Sequence, residues 1–165
     1  SKPSISVRSW FRVCSRSSLP PYALPELRRR KLSYTVFIAP GLLGRKNYIT
    51  EDELRTLAAD PLCTVGAHTM RHEMLRFQKA SAVRGELSGS KAYLEAALSR
   101  EILNFAYPYG SVYACSRANI EQVQACGFRR GFSALSRSVT ASDLREPWFL
   151  PRRNINDTNL QRKGF

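Results

Sequence analysis

The chain carries two histidines, four residues apart in His68-Thr69-Met70-Arg71-His72. Residues i and i+4 share one face of a helical turn, and imidazole is the commonest protein ligand for borderline cations such as Zn²⁺. The spacing lets both rings hold one divalent metal. The pair alone fits two surface or satisfied core imidazoles equally well, so its meaning depends on what surrounds it. Pro108-Tyr109-Gly110, taken by itself, reads as a tight turn. Cys14, Cys63, Cys115 and Cys126 form no Cys-x-x-Cys pair and have no histidine beside them. That argues against a zinc ribbon or a thioredoxin-type dithiol and leaves buried free thiols as the simplest reading.

The elements that must position these residues can be read from about Ala23 onward, where strand-like and helix-like segments alternate. Leu24 to Lys31 reads as a short basic helix, and Tyr34-Thr35-Val36-Phe37-Ile38-Ala39 as a strand stopped by Pro40-Gly41. Thr50 opens a capping box with Glu53, which predicts a helix through about Ala59. Thr64 to Ala67 predicts a short strand running into the histidines. From about Lys79 to Ser99 a long polar helix keeps Val83, Leu87, Leu94 and Leu98 near one face. Asn104 to Tyr107 predicts a strand closed by Pro108-Tyr109-Gly110, and Arg117 to Cys126 a helix broken by Gly127. Gly131 to Ala134 predicts a further strand and Trp148 to Leu150 a last extended segment. Short strands too apolar for a wet face, alternating with helices, predict an α/β fold with a parallel sheet wrapped by helices. Ligands in such folds collect at the carboxyl ends of the strands, where both His68-to-His72 and Pro108-Tyr109-Gly110 fall.

A length of 165 residues with 43% apolar content fits one globular domain. The expected organisation is an irregular basic leader over residues 1–22, an α/β domain over 23–157 and a polar tail over 158–165. The leader is rich in Ser, Arg and Pro, and its Trp10 and Phe11 show no period that would announce a strand. The net charge of +13 attracts polyanions, but the arginines are dispersed along the chain, as on a solvated surface, and predict no specific nucleic-acid partner. No run is long and apolar enough to span a membrane. No signal-peptide pattern is present and the sequence opens at Ser1, so the natural N-terminus is expected to lie outside it and the compartment stays open.

Taken in order, four segments resemble motifs of the polysaccharide deacetylases, the NodB-homology domain. They are His68-Thr69-Met70-Arg71-His72, Phe105-Ala106-Tyr107-Pro108-Tyr109-Gly110, Gly127-Phe128-Arg129-Arg130-Gly131-Phe132 and Phe149-Leu150-Pro151-Arg152-Arg153. The resemblance covers roughly Ala23 to Asp157 and implies a distorted, incomplete (β/α) barrel of mostly parallel strands. It also implies a metal-dependent hydrolase that removes N-acetyl, or in some members O-acetyl, groups from a polysaccharide or oligosaccharide. In that scheme an Asp and two histidines hold a divalent metal, which polarises the acetyl carbonyl and lowers the pKa of a bound water. Carried over by residue, the resemblance makes His68 and His72 the imidazole ligands of zinc, with cobalt or nickel as alternatives. It gives Tyr109 the backbone N–H that holds the oxyanion. Tyr107, Pro108, Tyr109 and Trp148 become the sugar-binding surface, and Arg152 the residue that helps orient the catalytic carboxylate.

The family's first motif is a strand ending in Thr-Phe-Asp-Asp-Gly, in which one Asp is the general base and the other the third metal ligand. This chain has no Asp-Asp-Gly and no acidic residue before Glu26. The later histidine that serves many members as general acid has no counterpart either, because both histidines are taken as ligands. Two imidazoles without a carboxylate hold metal weakly, and losing a general base costs about two to four orders of magnitude in rate. The sequence therefore predicts an impaired or inactive deacetylase. The alternatives are a non-catalytic carbohydrate-binding module on the same fold and, from charge alone, a basic nucleic-acid binder. A shifted reading frame is one explanation of the leader: codons for Val7-Arg8-Ser9-Trp10-Phe11 can be chosen so that the next frame reads Phe-Asp-x-Gly-Phe.

Overall fold

Five short strands, joined by helices, make the sheet of the computed structural model, which describes residues 9–12 and 24–152. In chain order the elements are β1 (Ser9–Arg12), α1 (Leu24–Arg29), β2 (Tyr34–Ile38), α2 (Glu51–Ala59), β3 (Cys63–Ala67), α3 (Ala80–Leu98), β4 (Asn104–Ala106), α4 (Arg117–Ala125), β5 (Arg130–Phe132) and α5 (Ala141–Arg145). The strands lie side by side in sequence order, each pair parallel. Beyond β5, Phe132 bridges Leu150 in parallel, so the extended segment expected near Trp148 continues the curl. The sheet stays unclosed, which is the parallel sheet wrapped by helices that the alternation of elements predicts and the incomplete (β/α) barrel that the family resemblance implies.

The leader supplies a strand that its composition does not announce. Ser9 to Arg12 pairs with Tyr34 to Phe37, along the strand whose β-branched and aromatic residues mark it in the sequence. Strand formation here follows from the neighbouring ladder rather than from local pattern. The short helix α5 was equally unannounced. Thr140 opens it with a capping box, its N–H donating to Asp143 Oδ2 at 2.8 Å.

Register sorts the side chains into two faces. Val36 of β2 lies opposite Val65 of β3, and Ala67 lies opposite Ile38 and Phe105 of β4. These residues join Leu54, Val83, Leu87, Leu94 and Val123 in the main core between sheet and helices. Burying each large aliphatic side chain there contributes about 1.5–3 kcal/mol. Residues of opposite parity, Phe37, Ala106 and Phe132 with Leu150, form a smaller cluster on the inner, concave side. The β3–β4 seam is thin, with the single pair Ala67 and Phe105.

At the amino end of the sheet, the Tyr34 hydroxyl donates to Asp60 Oδ2 at 2.9 Å, Arg28 Nε donates to the same oxygen at 2.7 Å, and the N–H of Leu62 donates to Oδ1 at 2.9 Å. Burial opposes the Asp60 charge, but these donors outweigh it and hold the carboxyl below its ordinary value. Cys63 and Cys115 are buried free thiols, each pushed up to about 11 by burial, which leaves them unreactive near neutrality. Cys126 is free and half-buried, and Cys14 lies outside the described residues.

Candidate active site

β3 delivers His68 to the carboxyl end of the sheet. The His68 N–H donates to Ile38 O at 2.9 Å, extending the β2–β3 ladder by one step. Its ring is fully buried, on the inner side that the parity of Gly66 defines, and Nδ1 lies 2.6 Å from Ala106 O. A carbonyl can only accept, so Nδ1 carries the proton in this contact.

The chain then turns by a route other than the helix that the i, i+4 spacing suggests. Thr69 and His72 both take left-handed backbone, with φ of 61° and 64°. Such angles strain a non-glycine residue, a β-branched one most of all. The Thr69 hydroxyl donates to His68 O at 2.6 Å and accepts the His72 N–H at 2.9 Å, closing the loop on itself. Underneath stands Glu86 of α3, 3% exposed. Its Oε2 accepts the N–H groups of Met70 and Arg71, both at 2.9 Å, and its Oε1 pairs with Arg71 Nη2 at 2.9 Å. This tight loop, rather than a helical face, brings the imidazoles together: their ring centroids are 4.7 Å apart in an edge-on contact.

β4 delivers the other half of the site. Pro108 is buried, while Tyr109 has φ of 61° and is 53% exposed. The Tyr109 ring meets His72 edge-on at 5.3 Å. Gly110, with φ of 58°, tucks against the loop after β5: its carbonyl accepts the Ala134 N–H at 2.8 Å, and a Cβ there would stand 2.5 Å from that nitrogen.

Among the residues expected from sequence, His68, His72 and Tyr109 converge. Tyr107 and Pro108 do not offer a surface to a ligand, because both are buried. Tyr107 is 1% exposed on the helix-facing side of β4, edge-on to Phe105 at 5.1 Å, and its hydroxyl donates to Trp148 O. Trp148 packs on the main core, with Nε1 donating to Phe128 O at 2.8 Å, on the amino side of β5. Burial raises the Tyr107 hydroxyl far above its ordinary pKa, so it remains a neutral donor. Arg152 is 7% exposed past the carboxyl end of β5, where its N–H donates to Leu135 O at 3.0 Å. Glu86 was not picked out from sequence. A carboxylate at residue 86, inside the Val83–Leu87–Ser90 stripe of α3, was the available signal.

The donor set can be tested against a metal. Two imidazoles suit a borderline divalent ion. Among the described residues, however, no group of three His, Cys, Asp or Glu side chains could hold one. Glu86 is already engaged by two N–H groups and a guanidinium. Among the described residues the site therefore offers two imidazoles and no third free ligand beside them.

An unclosed, sequentially ordered parallel sheet with imidazoles and an aromatic ring in the loops after β3 and β4 defines an incomplete (β/α) barrel that gathers these side chains at the strand carboxyl ends. The sequence matches the polysaccharide deacetylase family over residues 9–130, and the chain belongs to that family. Among solved structures, it is similar to the deacetylase PplD of Streptococcus pyogenes, described in complex with acetate, with 19% identity, 93% of this chain and 67% of that one covered, and a TM-score of 0.80. It is also similar to IcaB of Ammonifex degensii, with 22% identity, coverages of 94% and 70%, and a TM-score of 0.78. A CE4 family pseudoenzyme from Bacillus anthracis shares the fold at 18% identity and a TM-score of 0.63, with 88% of this chain and 48% of that one covered. No curated protein is significantly similar in sequence.

Proposed function

We propose that this chain engages an acetylated polysaccharide or oligosaccharide at the carboxyl end of its sheet, on a deacetylase-type site whose turnover is impaired. The observation that carries the reading is the edge-on pair His68 and His72, with Tyr109 against His72, in a chain with no acidic residue before Glu26. His68 and His72 are the residues that would hold a divalent ion, zinc first and cobalt or nickel as alternatives. Such an ion supplies Lewis-acid polarisation of an acetyl carbonyl when bound. Tyr109 offers its exposed ring to a sugar and its backbone N–H to the acetyl oxygen, and Arg152 is the buried cation on the same side. What is missing is a carboxylate to take a proton from water, and with it goes most of the expected rate. The similar Bacillus anthracis protein, described as a pseudoenzyme, supports reading the family fold apart from its catalysis.

The test is to incubate the chain with an N-acetylglucosamine hexasaccharide and excess zinc or cobalt, follow acetate release, and measure binding by calorimetry in parallel. The expected result is binding that survives a chelator, with acetate release near background. Turnover of about one per second or more, ordinary for an enzyme, would sink the claim of impairment. Absence of hexasaccharide binding at several millimolar, about the weakest affinity of interest, would sink the site itself.

A further inference from the structure

The two imidazoles of the site are placed on different terms. His68 belongs to the sheet: its N–H continues the β2–β3 ladder to Ile38 O at 2.9 Å, and its ring Nδ1 reaches Ala106 O of β4 at 2.6 Å. His72 follows after three loop residues, on backbone with φ of 64°. Left-handed backbone is unfavourable for a residue with a Cβ and persists only where its surroundings dictate it. The placement of His72 therefore depends on what fixes Thr69, Met70 and Arg71.

Two elements distant in sequence hold these residues. From α3, buried Glu86 accepts the Met70 and Arg71 N–H groups on Oε2, both at 2.9 Å, and Arg71 Nη2 on Oε1 at 2.9 Å. From the turn after β2, the Gly41 N–H donates to Met70 O at 2.8 Å. A Cβ at Gly41 would stand 2.8 Å from that same oxygen, so glycine is what lets the two backbones meet. Met70 is thus held at both its N–H and its carbonyl. Arg71 Nε also pairs with half-exposed Glu73 at 3.1 Å. Buried hydrogen bonds to a carboxylate are strong and costly to lose, whereas an exposed ion pair contributes little. Glu86, rather than Glu73, is the carboxylate that sets the loop, and all of these bonds join groups of the chain to one another, so they form on folding.

We propose that Glu86 is a positioning residue of the site: through the Met70 and Arg71 N–H groups it sets His72 beside His68 on folding, so that the imidazole pair is preformed rather than assembled by what it binds. The inference rests on the functional reading above only in taking His72 as a working residue, and it adds how that residue is kept in place. A site that is competent in only a fraction of molecules binds more weakly by that fraction, which is the advantage of presetting it. The role belongs to the acceptor oxygen over the two N–H groups rather than to the negative charge, so substitution can separate the two. Glu86→Gln keeps an acceptor oxygen, while Glu86→Met keeps the volume and offers none. Arg71→Ala removes the guanidinium and leaves both loop N–H groups on Glu86.

The chain has two histidines in all, so a single His72→Asn variant assigns both rings in a proton NMR spectrum. The readout is the nuclear Overhauser contact between the rings, whose centroids lie 4.7 Å apart, in the full chain treated with a chelator. The contact should be present in the wild type, Glu86→Gln and Arg71→Ala, and lost in Glu86→Met. The Met70 and Arg71 amides should exchange with solvent about tenfold faster in Glu86→Met than in Glu86→Gln. The His68 Nδ1 proton, held on Ala106 O, should stay protected in every variant, which separates a displaced loop from an unfolded chain. Should Glu86→Met lose that protection, Glu86→Asp takes its place, drawing the carboxylate back by one methylene, with the same loss of contact expected. A ring contact in the Met or Asp variant as strong as in the wild type overturns the role of Glu86. A contact that appears in the wild type only after zinc or the hexasaccharide is added overturns preformation. Equal loss in Glu86→Gln and Glu86→Met, or loss in Arg71→Ala, would move the role to the charge or the ion pair and overturns the proposal as stated. The functional reading fails on a different result, absence of hexasaccharide binding by a wild type whose ring contact is intact.

Discussion

The two ends of the sheet are built on opposite terms. At the amino end, Tyr34, Asp60, Arg28 and the Leu62 N–H satisfy one another around a single carboxylate. The non-glycine left-handed residues there, Lys31 and Ser99, lie at the ends of α1 and α3, where such a turn is routine. At the carboxyl end, Thr69, His72 and Tyr109 hold left-handed backbone inside the loops that carry the imidazoles and the exposed ring. Each such residue costs on the order of 1–3 kcal/mol and persists only where its surroundings over-determine it. In the histidine loop the surroundings are the Thr69 hydroxyl and Glu86. One end of the molecule stabilises; the other spends stability to place side chains.

The largest expected effect tests whether Glu86 maintains that strain. Glu86→Ala leaves two loop N–H groups without their acceptor and should destabilise the chain by about 2–5 kcal/mol, read as a drop in the urea midpoint. Glu86→Gln, which keeps one acceptor oxygen, should recover part of the loss. An effect no larger than that of an ordinary surface substitution would mean the loop holds itself. Asp60→Asn addresses the amino end and should cost about 1–3 kcal/mol with hexasaccharide affinity unchanged. The pH dependence has a definite sign. The Asp60 carboxyl is held below 3.8 in the folded chain, so its contribution is present above that pH and disappears as the pH falls through the lowered value. Asp60→Asn should therefore flatten the acid limb of the stability profile, and an unchanged limb would show that other carboxylates govern it. The smallest effect belongs to Tyr109→Asn. Asparagine tolerates left-handed backbone, so stability should stay within about 1 kcal/mol of the wild type or rise, while sugar binding weakens. Calorimetry and melting on one sample decide whether the carboxyl end trades stability for binding as described.

Much of this architecture can be read locally. The Thr50–Glu53 capping box, the run Tyr34 to Ile38 and the punctuation at Pro108 and Gly127 each specify an element through nearby chemistry, and all appear where expected. β1 could not be read that way, because a basic, aperiodic tetrapeptide becomes a strand only by pairing with β2. The paired imidazoles were visible as a spacing, though not the loop that joins them, which depends on a carboxylate fourteen residues beyond His72. Tyr107 misleads because motif order says nothing about parity; alternation from Phe105 already places it toward the helices. The shifted-frame reading of the leader meets a similar constraint. Its Asp would fall at Arg8–Ser9, beside the start of β1, whereas the family's motif closes the strand, which here ends at Arg12.

The bond from His68 Nδ1 to Ala106 O has a consequence for how such a chain ages. β3 and β4 share one ladder pair, and the imidazole fastens the seam immediately beyond it. His68 is thus a rivet as well as a ligand candidate, whereas the His72 ring lies edge-on to those of His68 and Tyr109. If selection on catalysis is relaxed, the first histidine should outlast the second, and a motif reduced to its leading residue would mark a lineage that has kept the scaffold after giving up the chemistry.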